Sequence, residues 1–308
     1  MTPQLADCHL HFEGCLPLEF LAELAGRAGH PFADGAAYGE ARRALRDAPG
    51  FLGLYAEVCG LFRGADDYRH AARAIARSLA SDGVAYAEVY VSPEIFSRMG
   101  LPAAACLEAV VEGFREEERE GAHLRVLLDA VRHWGPESAH RVLDLYEQSP
   151  HSSIVGFGLG GDEAALPASA FAGVYARARS LGLKTSVHAG EWGGAASVRE
   201  ALDALRPDRL DHGIAAVEDP RLLDRLASEG TVLWVAPSGN VVTGAVARLE
   251  EHPLPRLLAA GVRVALCADD PLFFGTTTSG EYRIAKEQLG LSEDQLRQIS
   301  ATAWQGAF

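Results

Sequence analysis

The stretch that decides the fold is His9-Leu10-His11-Phe12-Glu13-Gly14, which follows directly on the run Leu5-Ala6-Asp7-Cys8. A doubly wound open sheet would show a Gly-rich phosphate turn after its first strand. Here two histidines stand there instead. Outward from this point, short apolar runs alternate with longer helical ones. The spacing predicts strands over 5–12, 84–91, 124–131, 154–159, 184–189, 209–215, 231–236 and 263–268. Each is short, apolar and often β-branched, as strands buried on both faces are. Helices are expected over 67–81, 103–120, 136–147, 168–181, 195–205, 220–228 and 253–259. Such alternation gives parallel strands with helical crossovers. Eight strands in 308 residues predict an α/β fold, a (β/α)8 TIM barrel, as one domain over 1–308. The long segment 17–83 after the first strand reads as a helical insertion, with helices over 18–28 and 51–61. In a barrel it would sit over the catalytic mouth as a lid.

Composition narrows the function classes. Hydrophobic residues make up 48% and charged residues 23%, a globular balance. With 28 Lys and Arg against 42 Asp and Glu, the formal net charge is −14, so polyanions are repelled and nucleic acid is not an expected partner. No stretch approaches the ~20 apolar residues of a membrane span, so no membrane partner is expected. The N-terminal residues lack the basic-then-apolar order of a signal peptide. Five scattered cysteines without a CxxC argue against both a disulfide framework and a thiolate zinc site. The expected location is cytoplasmic. Oligomeric state is not legible.

The polar residues that stand out fall at the strand ends, where barrel enzymes keep their chemistry. The first strand ends in His9-Leu10-His11, whose spacing puts both imidazoles on one face. The fifth ends in His188-Ala189-Gly190-Glu191, the sixth carries Asp211-His212-Gly213, the seventh ends in Pro237-Ser238-Gly239-Asn240 and the eighth in Asp269-Asp270-Pro271. Taken singly, each has an ordinary explanation. A lone buried histidine is most often a core residue, and that explanation serves for His70, His123 and His151. Asp-Asp-Pro alone reads as a turn, and the glycines at 156, 158, 160 and 161 as a loop. Gathered at one barrel end, however, that many titratable groups cost several kcal/mol apiece unless partnered. A divalent cation held by neutral imidazoles and a carboxylate offsets that cost. Imidazole and carboxylate donors without thiolate suit one zinc ion, with iron or manganese as alternatives. Two-metal hydrolases with HxH use a bridging lysine. The two lysines here, Lys184 and Lys286, lie away from the strand ends, so one metal is favoured over two. The HxE at 11–13 lacks the PCxxC of cytidine-type zinc deaminases, which removes that class.

In order along the chain stand HLHFEG at 9–14, AEVYVSP at 87–93, GFGLGGDE at 156–163, HAGE at 188–191, LDHG at 210–213, PSGN at 237–240 and ADDP at 268–271. Together they resemble the adenosine deaminase family, within the amidohydrolase barrels of metal-dependent hydrolase type. The resemblance implies a metal-dependent hydrolase of C–N bonds that replaces the 6-amino group of a purine by oxygen and releases ammonia. It implies metal ligation by His9, His11, His188 and Asp269, and proton transfer by Glu191. It also implies contacts of His212 and Asp270 with the attacking water, and purine contacts from Asp270 and the Gly161 backbone. These roles suit the chemistry. Water must add to an aromatic carbon, and a carboxylic acid with a raised pKa must protonate the adjacent ring nitrogen.

Departures from the family pattern bear on the substrate. Glu13 stands where adenosine-type members carry Asp to bond the ribose, as in adenine-type members, and Asp211 before His212 is also adenine-type. Gly160-Gly161-Asp162-Glu163 and Thr243-Gly244-Ala245 resemble the nucleoside-type pattern. Gly158 replaces an expected acid, which would open space. Ala236 replaces a usual Cys, and Gly239 a common Ser. The expected substrate is a small 6-aminopurine nucleoside, adenosine or a 5′-modified one such as 6-aminodeoxyfutalosine, with Phe51, Tyr55 and Phe62 available to pack against a tail. Free adenine is the alternative. Two other classes compete: a barrel hydrolase of amides, lactones or phosphate esters, and a non-catalytic relative. The second would have lost site residues, yet all are present.

Overall fold

The computed structural model describes residues 4–118 and 122–308. Among them, eight parallel strands run in the order β1 to β8: Leu5–His11, Val84–Val91, His123–Val131, Ile154–Gly160, Lys184–Ala189, Arg209–His212, Val232–Val235 and Arg263–Leu266. The sheet closes through the residues just past β8. Asp269 N donates to His9 O at 3.2 Å, and His11 N donates to Asp269 O at 3.0 Å. The architecture is the (β/α)8 barrel, and the strands are buried on both faces, as their apolar composition requires.

Helices fill the connections. Between β1 and β2 lie α1 (Leu18–Ala28), α2 (Gly35–Arg43), α3 (Ala48–Cys59) and α4 (Ala65–Ser81). The buried positions of α4, namely Tyr68, Ala71, Ala72, Ile75, Ala76 and Leu79, recur every three to four residues and form one apolar stripe. That stripe packs in the outer ring against α6 (Ala103–Glu117), which follows α5 (Pro93–Arg98). Further along come α7 (Gly135–Gln148), α8 (Ala172–Ser180), α9 (Gly194–Ala204), α10 (Pro220–Glu229), α11 (Pro237–Val242) and α12 (Leu254–Ala259). After β8 come α13 (Pro271–Phe274), α14 (Thr278–Glu287) and α15 (Glu293–Gln305). Of segment 17–83, α3 faces the cavity at the strand ends, whereas α4 is the β1-to-β2 crossover of the barrel itself.

Several boundaries differ from the pattern-based expectation, each for a local reason. The sixth strand stops at His212 instead of running to 215, because His212 and Gly213 both take positive φ. The eighth stops at Leu266, ahead of Asp269, which is also at positive φ. Helix α3 starts at Ala48, three residues early, since the Asp47 side chain caps Gly50 N at 2.8 Å. The 168–181 helix is divided into a 3-10 turn over Ala168–Phe171 and α8. The helix expected over 103–120 is described to Glu117, and residues 119–120 lie outside the described set. The glycines of 156–160 form strand β4, not a loop.

Two side-chain links join strands that are not sheet neighbours and so cross the barrel interior. Arg209 on β6 pairs with Glu88 on β2 at 2.6 Å, and Tyr90 on β2 donates to Asp211 on β6 at 2.6 Å. All five cysteines are buried and free. Among the described residues no helix is long and apolar enough to cross a membrane.

Candidate active site

The strand ends of β1, β5 and β8 bring four donor atoms together. His188 Nε2 lies 3.0 Å from His9 Nε2 and 3.1 Å from His11 Nε2. Asp269 Oδ1 lies 3.5 Å from His9 Nε2 and 3.4 Å from His11 Nε2. His188 and Asp269 thus each lie 3.0–3.5 Å from both His9 and His11, the spacing of neighbouring donors around one zinc-sized divalent ion, and His9, His11 and His188 on one side and His9, His212 and Asp269 on the other form compact donor groups. Burial, reinforced by neighbouring imidazoles, holds His9 and His212 well below the usual histidine range and brings His11 down to about 3. Burial lowers His188 as well. Neutral imidazoles with free Nε2 lone pairs are what a cation needs. The other nitrogens of His188 and His9 face acceptors, which fixes those ring orientations. His188 Nδ1 lies 3.1 Å from Leu159 O and 3.4 Å from Asp211 Oδ2, and His9 Nδ1 lies 3.7 Å from Asp211 Oδ1. Asp211 is itself held by the Tyr90 and Ser186 hydroxyls at 2.6 and 2.9 Å. The adenine-type marker before His212 therefore stands behind the imidazoles, not in contact with the cavity. Lys184 and Lys286 are far from this cluster, paired with Asp208 and Glu293.

Glu191, just past β5, is buried, and burial together with the Asp269 charge pushes its carboxyl well above the ordinary range. Its Oε1 accepts from Asn240 Nδ2 at 3.0 Å and Thr243 Oγ1 at 3.1 Å. Oε2 lies 3.4 Å from His212 Nε2, which is 3.8 Å from Asp269 Oδ2. His212 and Asp269 adopt φ of 62° and 60°, a left-handed backbone that costs a non-glycine residue of order 1–3 kcal/mol and clusters at functional sites. Asp270 is buried next to Asp269, and burial holds both carboxyls above their usual range. A Cβ on Gly14 would stand 1.8 Å from Asp270 Oδ1, which explains the glycine closing HLHFEG.

One cavity of about 320 Å³ is lined by His11, His188, Glu191, His212, Asp269 and Asp270, and also by Gly161. Phe51 and Tyr55 of α3 line it too, whereas Phe62 stacks on Tyr68 in the core at 4.2 Å. Glu13 is buried one layer back: Tyr55 donates to its Oε2 at 2.7 Å and takes the position facing the cavity. Gly158 does not open space, because the Tyr90 ring fills it and a Cβ there would sit 2.2 Å from Tyr90 Cε1. His70 and His123 are exposed and apart from the site.

Sequence reasoning marked several residues without seeing their use. Asn240, Thr243 and Glu163 stood inside recognised motifs but had no role. The carboxylate of Glu163 accepts from the backbone N–H groups of Gly190, Glu191, Trp192 and Gly193 at 2.5, 3.1, 2.7 and 2.9 Å, and from the Ser197 hydroxyl. Ser92 and Asp129, past β2 and on β3, also line the cavity. Burial lifts the Asp129 carboxyl to about 7. Their signal was the Ser in AEVYVSP and the single Asp in the apolar run 126–131 of the third strand.

A parallel barrel with imidazoles and carboxylates gathered at its strand C-termini is the architecture of the metal-dependent amidohydrolases. The adenosine deaminase family pattern matches residues 4–308. The chain is 38% identical over 307 residues to an adenine deaminase of Chelativorans sp., covering 98% of this chain and 93% of that one. Its structure is similar to that of an adenine deaminase from Arthrobacter aurescens, with a TM-score of 0.94 and 33% identity over 100% of this chain and 94% of that one. It is also similar to an amidohydrolase from Burkholderia ambifaria solved with bound Zn, with a TM-score of 0.90 and 26% identity over 98% and 85% of the two chains. The chain belongs to the adenosine deaminase family, and it is a hydrolytic deaminase acting on C–N bonds.

Proposed function

We propose that this deaminase acts on adenine as the free base, giving the 6-oxopurine and ammonia. The observation that carries the reading is a buried carboxyl, Glu191, lining the same cavity as His11, His188 and Asp269. The Chelativorans and Arthrobacter relatives named above are adenine deaminases, which supports the free base over the nucleoside expected from the mixed motifs. A second reading, a nucleoside with an altered 5′ side, is favoured by the extension of the cavity to Arg98, Met99 and Trp134, beyond what a base fills.

In this mechanism His9, His11, His188 and Asp269 would hold the divalent cation, with zinc preferred and iron or manganese as alternatives. A cation there supplies Lewis acidity that makes hydroxide available near neutral pH. Glu191 gives its proton to the ring nitrogen next to C6, so the ring can accept an electron pair as water adds there. Asn240 and Thr243 grip Oε1 and leave Oε2 turned to the substrate. Asp270, whose Oδ1 has no hydrogen-bond partner among the described residues, orients the attacking water and accepts its proton. His212 faces the oxygen that develops charge on C6. The second proton of the water passes to the amino group, the C6–N bond breaks, ammonia leaves and the 6-oxo group remains. Steady-state rates on adenine, adenosine and 6-aminodeoxyfutalosine test the choice. Adenine is expected to have the highest kcat/KM, and a higher value for either nucleoside would overturn the free-base reading.

A further inference from the structure

The wall of the cavity beside the imidazoles carries a polar pair that the proposed mechanism does not use. Ser92 and Asp129 follow the facing residues Val91 and Leu128 of neighbouring strands β2 and β3, and the Ser92 hydroxyl donates to Asp129 Oδ2 at 2.7 Å. Both side chains line the cavity and both are buried, Asp129 to 5% exposure. Asp129 Oδ1 has no hydrogen-bond partner among the described residues. The carboxyl also looks toward the imidazole cluster: an ideal Cβ on Gly160 would lie 3.5 Å from Asp129 Oδ1 and 3.5 Å from His188 Cε1. Buried acceptors are satisfied in the great majority of cases, and an orphan calls for a partner. Here the surroundings name the partner's class. Ile95, Met99 and Val131 share the cavity lining with Arg98 and His133, and no arginine or lysine forms a salt bridge with Asp129 among the described residues. A neutral heterocycle presenting an N–H meets both conditions.

We propose that Ser92 and Asp129 form a specificity subsite that accepts the five-membered-ring N–H of a free purine base, Oδ1 of Asp129 being the acceptor. The inference rests on the free-base reading above and gives it a cause. A base has an N–H at N9, whereas a nucleoside carries its sugar there. An N9-substituted purine leaves Oδ1 desolvated and unpaired. Sites built to bond a substrate N–H reject analogues lacking it by about 10⁴–10⁵-fold. Ser92 is the positioning residue, since its hydroxyl occupies Oδ2 and turns Oδ1 to the cavity.

The test compares adenine, 9-methyladenine and adenosine on the zinc-loaded full chain. 9-Methyladenine removes the N–H with little added bulk. The wild type is expected to favour adenine over 9-methyladenine by about 10³-fold or more in kcat/KM. Asp129→Ala should lower kcat/KM for adenine about 10²-fold, mainly through KM, and leave 9-methyladenine within about threefold. Asp129→Asn, whose amide oxygen can still accept, should recover part of the loss. Ser92→Ala should lower adenine turnover about tenfold and leave 9-methyladenine alone, and it keeps the inference testable if Asp129→Ala does not fold. Equal wild-type rates on adenine and 9-methyladenine, or an equal loss on both in Asp129→Ala, would overturn the subsite. If adenosine is meanwhile still rejected, the free-base reading stands without it. A wild-type preference for adenosine over adenine would instead remove the free-base reading itself.

Discussion

Glu191 shows how three elements cooperate on one carboxyl group. Its carboxyl comes from the loop after β5, its grip from Asn240 on α11 and Thr243 just past it, and its neighbour His212 from the end of β6. Asn240 is oriented in turn. His252 Nδ1 accepts from Leu254 N at 3.2 Å, so its Nε2 carries the hydrogen and donates to Asn240 Oδ1 at 3.2 Å. The amide of Asn240 must then present its NH2 to Glu191. A carboxyl whose ionisation burial disfavours, steered this way, suits general-acid work, and general acids contribute about 10²–10⁴-fold. Glu191→Gln keeps the shape and removes the exchangeable proton. It should retain its full complement of zinc by metal analysis while kcat falls about 10³-fold. Near-normal turnover in that variant would end the acid assignment.

The loop that carries Glu191 is tied down by one carboxylate. Glu163, on the loop after β4, gathers four consecutive backbone N–H groups of the loop after β5 and the Ser197 hydroxyl at the start of α9. Charge-assisted bonds of this kind are worth about 1.5–3 kcal/mol each when buried. A carboxylate can accept from all five donors, whereas an amide turns one end into a donor facing donors. Glu163→Gln should therefore lower kcat on adenine by about 10–100-fold with KM changed less than about threefold, and it should lower the melting temperature. Loss of melting temperature with unchanged kcat would restrict Glu163 to a structural part.

At the scale of the molecule, closure of the barrel and the cation site use the same residues. The backbones of His9 and His11 bond the Asp269 backbone where the last strand meets the first, and the same three side chains face the proposed cation site. A ligand that binds only the folded chain at 1,000 times its Kd adds about 4 kcal/mol of stability. Chelation should thus lower the melting midpoint as well as abolish activity, and zinc should restore both. An unchanged midpoint on metal removal would contradict this coupling. Stability should also fall in acid through His252, which burial brings down to about 4. The unfolded chain binds this proton with an ordinary pKa near 6.5, so between 6.5 and 4 it holds more protons than the folded one. The stabilising contribution is complete above about 6.5 and declines as pH falls through 4, by up to about 3 kcal/mol. Denaturant unfolding at pH 7, 5.5 and 4.5 should show the decline in the wild type and a shallower one in His252→Gln.

Local pattern carried the barrel and the polar residues at its strand ends, and the family resemblance supplied the roles proposed for them. Strand signals depend on apolar runs that any parallel strand must have, and HLHFEG, HAGE and ADDP place donors at strand ends whatever their partners prove to be. The order of strands then determines that these ends share one rim. Tertiary structure decided what distance along the chain hides. Only folding puts Glu163 under residues 190–193, sets Tyr55 in front of Glu13, fills the space beside Gly158 with Tyr90, and turns Asp129 Oδ1 toward the cavity without a partner. Each is a contact between segments tens of residues apart. A sequence names the donors and acceptors on each strand, but whether a given one is satisfied depends on which others the closed barrel brings within hydrogen-bond reach.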